Sequence, residues 1–181
     1  MADEMIDIYD ASGAKAGEVI PRKGAFLKEG QFMLYVLAII QDGCGRFLIT
    51  RRALDKKWAA GVWEVPGGGV CAGEDSVAGV TREVLEETGL DVRGKTGAPV
   101  YSYENVDLAR GDNYIVDIYR IQLDFDAADV VLQEREAIGF RLVTWDEITQ
   151  LEEQDSFLHY ARIKEALARS EAKSAANRSR A

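Results

Sequence analysis

The stretch from Gly68 to Leu90, Gly-Gly-Val-Cys-Ala-Gly-Glu-Asp-Ser-Val-Ala-Gly-Val-Thr-Arg-Glu-Val-Leu-Glu-Glu-Thr-Gly-Leu, constrains this chain more than any other. A glycine-rich turn, Pro66-Gly-Gly-Gly69, runs into a short helix. Asp75 suits the helix N-cap and Gly89 its C-terminal stop. At about 100° per residue, Glu83, Glu86 and Glu87 share about one third of the circumference, and Val77, Val80 and Val84 take the adjacent arc. One arc can be buried while its neighbour presents carboxylates to a cleft. Carboxylates at i,i+3 and i,i+4 repel one another, so the cluster costs stability unless positive charge faces it. A hard divalent cation, Mg²⁺ or Mn²⁺, fits, because it takes oxygen ligands and keeps waters and substrate phosphates as its other partners. Gly79 inside the helix costs about 1 kcal/mol relative to Ala, which points to close packing against a sheet.

Periodicity around this stretch reads as strands and helices. Residues 5–9 and 18–20 form a small hairpin around Ala11-Ser-Gly-Ala14. Residues 32–41 are a strand, Asp42-Gly-Cys-Gly45 a turn, and residues 46–50 the returning strand. Residues 63–65 deliver the chain into Pro66. Residues 100–103, 114–123 and 140–143 alternate as strands do. Thr144-Trp-Asp-Glu147 is a capping box that opens a helix. Asp155 or Ser156 restarts helix to about residue 168. Residues 169–181, rich in Ala, Ser, Lys and Arg without apolar period, read as a frayed, disordered tail. No internal repeat or second domain is visible, so residues 1–168 are read as one domain. Strands with helices between and after them predict an α/β fold, a mixed sheet covered on both faces in an α/β/α sandwich.

Composition narrows the partners. With 181 residues, 47% of them hydrophobic, the chain can bury a proper core. A net charge of −9 argues against a nucleic-acid backbone as partner. The longest apolar stretch, residues 32–40, is too short to span a membrane, and no signal peptide precedes it. Cys44 and Cys71 make neither a disulfide framework nor a zinc site, and a reduced cytoplasmic compartment is the simplest home. An anionic substrate would need a local basic patch. Arg46, Arg51, Arg52, Lys56 and Lys57 supply one, with Arg51 and Arg52 at a strand end best placed to bind phosphate. Solvated surface charge is the other reading of each.

The Gly68–Leu90 run resembles the signature box of the Nudix (MutT-like) hydrolase family. That pattern is Gly, five free positions, Glu, seven free, then Arg-Glu-apolar-any-Glu-Glu-any-Gly-apolar. Gly68, Glu74, Arg82, Glu83, Val84, Glu86, Glu87, Gly89 and Leu90 meet every fixed position. A chance match has odds on the order of one in a million at ordinary residue frequencies. The strand into Pro66-Gly67-Gly68 and the Trp145-Asp-Glu-Ile helix start extend the similarity over residues 5–167. The N-terminal hairpin and Arg-rich strand end are also similar to those of Nudix proteins related to isopentenyl-diphosphate isomerase.

The resemblance implies the Nudix fold and an enzyme that hydrolyses a diphosphate linkage in a nucleoside diphosphate joined to another group. Water attacks phosphorus, with Mg²⁺ or Mn²⁺ as cofactor. Carried over by position, Glu83, Glu86 and Glu87 are metal ligands, with the carbonyl of Gly67 or Gly68 as a further one. Glu83 also acts on the attacking water, and Arg82 completes the catalytic set by ion pairing, its i+4 relation to Glu86 favouring this. Glu74 ties loop to helix. The family often recruits an acid from outside the box; Glu136 is the first candidate, Glu134 the second, then Glu104, Asp107 and Asp112. Partners implied are a small nucleotide-type substrate and, as is frequent in the family, a second copy of the chain. Tyr101, Tyr103 and Tyr114 could stack on a base or simply pack. His159 is read as structural or surface, away from the box, and Trp58, Trp63 and Trp145 as core or edge packing. Cys71 is not expected to be a nucleophile, because water attacks directly.

Two other functions compete. Isopentenyl-diphosphate isomerases place a catalytic cysteine in the strand-turn before the helix, where this chain has Trp63-Glu-Val-Pro-Gly-Gly68. Non-catalytic nucleotide sensors usually carry a DNA-binding domain or a degraded box, and neither is seen here. The box specifies the diphosphate and leaves the attached group open.

Overall fold

The structure, a computed structural model, describes residues 3–178. Strands β1 (Met5–Tyr9) and β2 (Lys15–Pro21) form an antiparallel hairpin. A mixed sheet follows, built from β3 (Met33–Gln41), β4 (Phe47–Arg52), β5 (Trp63–Glu64), β6 (Gly67–Gly69), β7 (Tyr101–Asn105), β8 (Tyr114–Gln122) and β9 (Ala137–Val143). The helices are α1 (Ser76–Thr88), α2 (Trp145–Glu152) and α3 (Tyr160–Arg178). The spatial order is β5-β4-β3-β8-β7, with β6 on β3 and β9 on β4.

β3 is the axis of the sheet. It runs parallel to β8 from Met33 opposite Tyr114 to Gln41 opposite Gln122. Its side chains alternate between two cores. Leu34, Val36, Ala38 and Ile40 pack with Val80 and Val84 of α1. Leu37 and Ile39 pack on the other face with Ile148 of α2 and Ile163, Ala166 and Leu167 of α3. Helices therefore cover both faces, which makes the α/β/α sandwich. A strand buried on both sides reads as an unbroken apolar run, which is why residues 32–40 stood out. Val80 and Val84 are fully buried; each such side chain contributes about 1.5–3 kcal/mol of transfer free energy. A smaller core of Ile6, Ile8, Leu27 and Met33 seats the hairpin.

α1 starts where the Asp75 side chain accepts the Ala78 N–H at 2.8 Å. It stops at Gly89, in the left-handed region at φ 73°. A Cβ on Gly79 would lie 2.7 Å from Val70 Cγ2, so the helix approaches the end of β6 closely only because this residue has no side chain.

The expected strand, turn and returning strand over residues 32–50 form, the β3–β4 ladder holding the pair Gln41–Phe47, while two other sequence expectations are corrected. β4 turns away to pair with β9 and β5, and β3 takes β6 instead, with Tyr35, Val36 and Leu37 opposite Gly69, Gly68 and Gly67. The glycine turn is thus a strand. The last helix does not restart at Asp155 or Ser156, because Trp63 N–H donates to the Ser156 carbonyl and Leu158 N–H to the Trp63 carbonyl. Asp155 and His159 sit at φ 51° and 60°, outside helical geometry, so α3 begins at Tyr160.

Nor does the chain fray at residue 169, since α3 continues to Arg178. Ala, Glu, Lys and Arg favour helix without any apolar period, and Arg169 pairs with Glu165 one turn back while its guanidinium lies 4.4 Å from the Tyr101 ring centroid. Residues 179–181 of that expected tail, and residues 1–2 of the expected domain, lie outside the described residues. Among the described residues no helix is long and apolar enough to cross a membrane.

Candidate active site

β6 and α1 meet at the floor of a cleft of about 810 Å³. Gly67, Gly68, Glu83, Glu86 and Glu87 line it, as do Glu64 of β5 and Glu136 ahead of β9. Glycine is required here by proximity. A Cβ on Gly67 would lie 2.1 Å from the Val36 carbonyl oxygen, and one on Gly68 2.6 Å from the Glu83 carboxyl carbon. The box glutamate therefore lies directly against the strand, and the strand directly against β3.

Arg82 ties the loop to the helix. Its Nε and Nη2 donate to the two Glu74 oxygens at 2.8 and 3.0 Å, and Nη2 also to the Gly69 carbonyl at 2.9 Å. Its Nη1 donates to Glu83 Oε1 at 2.8 Å and Glu86 Oε2 at 3.3 Å. Hydrogen bonds from Arg82 hold the Glu74 carboxyl below its ordinary range, and those to Glu74 and Glu83 raise the guanidinium's affinity for its proton. One cation thus screens much of the like-charge repulsion on the helix face.

The screening does not reach Glu87. Its carboxylate accepts the Gly67 N–H at 3.1 Å, and among the described residues no basic side chain pairs with it. Burial first, then Glu83 and Glu64, push it well above the usual carboxylate range. Burial also raises Glu83 and Glu64, against the pull of Arg82 and Arg52. Glu86 differs, with half of its side chain in solvent. No three acidic, His or Cys side chains among the described residues converge into a ready-made cage.

The donors are nevertheless those a hard divalent cation takes. They are oxygens only, they come from adjacent turns of one helix and the facing strand, and the buried Glu87 has no basic partner among the described residues. The residues fit Mg²⁺ or Mn²⁺. Glu83, Glu86 and Glu87, a carbonyl of Gly67 or Gly68, and Glu136 or Glu64 are the groups that would hold it.

The basic residues divide. Arg52 lines the cleft, with Nη1 on the Glu64 oxygens at 2.9 and 3.0 Å. Lys56 lines it paired with Glu136. Arg51 does not: its Nε donates to the Gly61 carbonyl at 2.9 Å and its guanidinium lies 5.9 Å from the Trp63 ring centroid. Strand alternation explains the split, since neighbours on β4 point to opposite faces. Of the two arginines expected at the phosphates, Arg52 lies on the cleft lining and Arg51 does not. Arg46 is spent on Asp42, at 2.7 Å.

Of the outlying acids, Asp107 and Asp112 line the cleft beside Glu136, whereas Glu134 does not, and Glu104 lines a separate cavity. Tyr103 and Tyr114 face the cleft. His159, expected away from the box, lies on the cleft wall; burial, then the nearby Arg52, hold its imidazole below the usual range. Trp58, expected in the packing, is 59% exposed. Sequence reasoning missed Glu64 and Arg22. Arg22, just past β2, donates to the Tyr35 hydroxyl at 2.9 Å and to Glu4 at 3.0 Å. The signal for Glu64 was its place two residues before Pro66, in the strand that leads to the floor.

The model of the NUDIX domain family matches residues 31–164. An uncharacterized Nudix hydrolase of Listeria monocytogenes is 28% identical over 141 residues, which cover 76% of this chain and 79% of that protein. The crystal structure of a MutT protein from Methanosarcina mazei superposes with a TM-score of 0.62 at 26% identity, covering 78% of this chain and 95% of that one. A bifunctional NMN adenylyltransferase/ADP ribose pyrophosphatase of Francisella tularensis, crystallised with AMP and a manganese ion, gives 0.62 at 18% identity. The match covers 76% of this chain and 41% of that one. With the complete box folded onto the cleft floor and the family match spanning most of the sequence, the chain belongs to the Nudix family, as a pyrophosphohydrolase of nucleoside diphosphate derivatives.

Proposed function

We propose that the protein cleaves the diphosphate linkage of a small nucleotide-type substrate in a reaction that depends on Mg²⁺ or Mn²⁺. The observation that carries this reading is Glu87, a buried carboxylate beside Glu83 and Glu64 with no basic partner among the described residues. When bound, the cation supplies charge neutralisation for the phosphates and acidifies a water. Glu83, lying against Gly68, is the group that orients the attacking water and takes its proton. Arg82 positions Glu83 and Glu86 through the bonds described above. Arg52, Lys56 and Arg22, which all line the cleft, are the donors to the substrate's phosphates, for which guanidinium and ammonium groups suit best. Manganese and AMP in the Francisella protein support both the cation and the nucleotide.

The net charge of −9 opposes a nucleic-acid backbone as partner, and the two free cysteines, Cys44 and Cys71, suit a reducing cytoplasm. The test is a panel of nucleoside diphosphate derivatives with Mg²⁺ or Mn²⁺, products resolved by chromatography, beside Glu86→Gln and Glu87→Gln. We expect cleavage of at least one compound, lost on chelation and reduced by about 100-fold or more in both variants. Turnover that survives in Glu87→Gln at saturating metal would refute the assignment.

A further inference from the structure

Trp58 sits on the loop between β4 and β5, on the cleft wall, with 59% of its surface in solvent. Aromatic side chains that line a concave site supply much of the contact area for a planar ligand, and the fold holds this one in place. The Arg52 guanidinium lies 5.3 Å from the ring centroid, and Arg52 Nε and Nη2 donate to the Trp58 carbonyl at 3.3 and 3.2 Å. Arg52 is in turn anchored by Glu64. The His159 ring stands 6.2 Å away, tilted by 44°. Ala59, next in sequence, and His159 both adopt left-handed backbone, at φ 51° and 60°, a conformation unfavourable for residues with a Cβ. The indole is therefore fixed by its surroundings.

With Arg52 and His159 both near the ring, 59% of the residue still remains in solvent. The other aromatics near the cleft are engaged. Tyr101 and Tyr103 stack on each other at 5.9 Å, with Arg162 4.4 Å from the Tyr103 centroid, and Tyr114 meets Tyr35 edge-on at 5.4 Å.

We propose that Trp58 is the platform on which the substrate's planar ring stacks, a nucleobase whose diphosphate lies over Glu83, Glu86 and Glu87. It thereby selects nucleotides over alkyl diphosphates. This rests on the hydrolase reading above. Stacking on an aromatic tolerates any base, because every base has a π-face, so Trp58 sets the class of substrate and leaves the choice among bases to other residues.

The experiment compares the wild-type protein with Trp58→Ala and Trp58→Phe in two assays. In the first, KM and kcat are measured for a cleaved nucleoside diphosphate derivative and for an alkyl diphosphate such as isopentenyl diphosphate. Trp58→Ala should raise the nucleotide KM about tenfold with kcat within about twofold, leave any alkyl diphosphate turnover unchanged, and be largely rescued in Trp58→Phe. In the second, AMP binding is measured by equilibrium dialysis; its Kd should rise about tenfold in Trp58→Ala and be largely restored in Trp58→Phe. An unchanged AMP Kd in Trp58→Ala would overturn the proposal, as would an unchanged nucleotide KM or equal wild-type preference for alkyl and nucleotide diphosphates. The dialysis needs no turnover. A wild-type protein that cleaves nothing, yet binds AMP less tightly in Trp58→Ala, would end the hydrolase reading and keep the platform.

Discussion

Glu87 is the side chain whose charge the folded protein supports least. It is buried, the charges of Glu83 and Glu64 act on it, and it accepts one hydrogen bond from Gly67. In Glu87→Gln the amide oxygen can keep that bond while the buried charge is gone. Removing an uncompensated charge should stabilise the metal-free protein by about 1 kcal/mol, or about 2–4 °C in Tm at this size. Calorimetry in chelator near neutral pH checks it, and a lower Tm would mean that the carboxylate is better solvated than its burial implies. The same variant loses turnover, so stability and activity would move in opposite directions. Glu83, Glu86 and Glu87 were legible because helix geometry alone fixes which residues share a face. Glu64 was not, since a two-residue strand has no alternation to read. Arg22 was hidden too, because no local pattern tells where a hairpin will seat its far end against a sheet.

The packing of α1 on β6 is the most exacting contact between secondary-structure units near the site. Gly79→Ala would ordinarily gain helix propensity, about 1 kcal/mol. Here its Cβ would lie 2.7 Å from Val70 Cγ2, and Val70 is buried. Overpacking of this kind costs about 1–3 kcal/mol, so we expect net destabilisation in urea unfolding, reversed when Val70→Ala is added. A more stable single variant would show that Val70 moves aside freely. Local signals served the capped units well. Asp75 and Gly89 bound α1, and Thr144 with Glu147 forms the capping box of α2. They failed where tertiary pairing decides. Gly67–Gly69 reads as a turn by composition and becomes a strand only because β3 offers an edge. Asp42–Gly45 is the turn it reads as, whereas the longer ladder of β4 on β9 has no local signal.

Acidic pairs acting together give the fold a pH response of two signs. Glu64, Glu83 and Glu87 carry folded values above their ordinary 4.5. Their contribution to stability is fully present below that value and is lost as pH rises through the folded values. Glu74 and Asp7, held low by Arg82 and by Lys15, act oppositely: their contribution is present above the ordinary values and lost as pH falls. In chelator, Tm should therefore decline as pH rises above the ordinary carboxylate range, with His159, held below its usual value, opposing the decline only until pH passes the unfolded imidazole's range. Mg²⁺ or Mn²⁺ should raise it more at higher pH, because ligands must be deprotonated to bind. A metal-induced shift independent of pH would contradict this.

The sandwich itself could be read from β3, whose two-sided apolar run demands cover on both faces. What no pattern in the sequence shows is that β3 runs parallel to β8. That pairing has a consequence for the chain as it is made. β3 leaves the ribosome long before Tyr114–Gln122 has been synthesised, and until then one of its edges has no strand to meet. A nascent or prematurely terminated chain ending before β8 would therefore display its most apolar strand with an open edge, the kind of surface that chaperones cover and proteases find. Such a fragment carries Glu83, Glu86 and Glu87 but lacks Glu136 and the sheet against which the cleft is built.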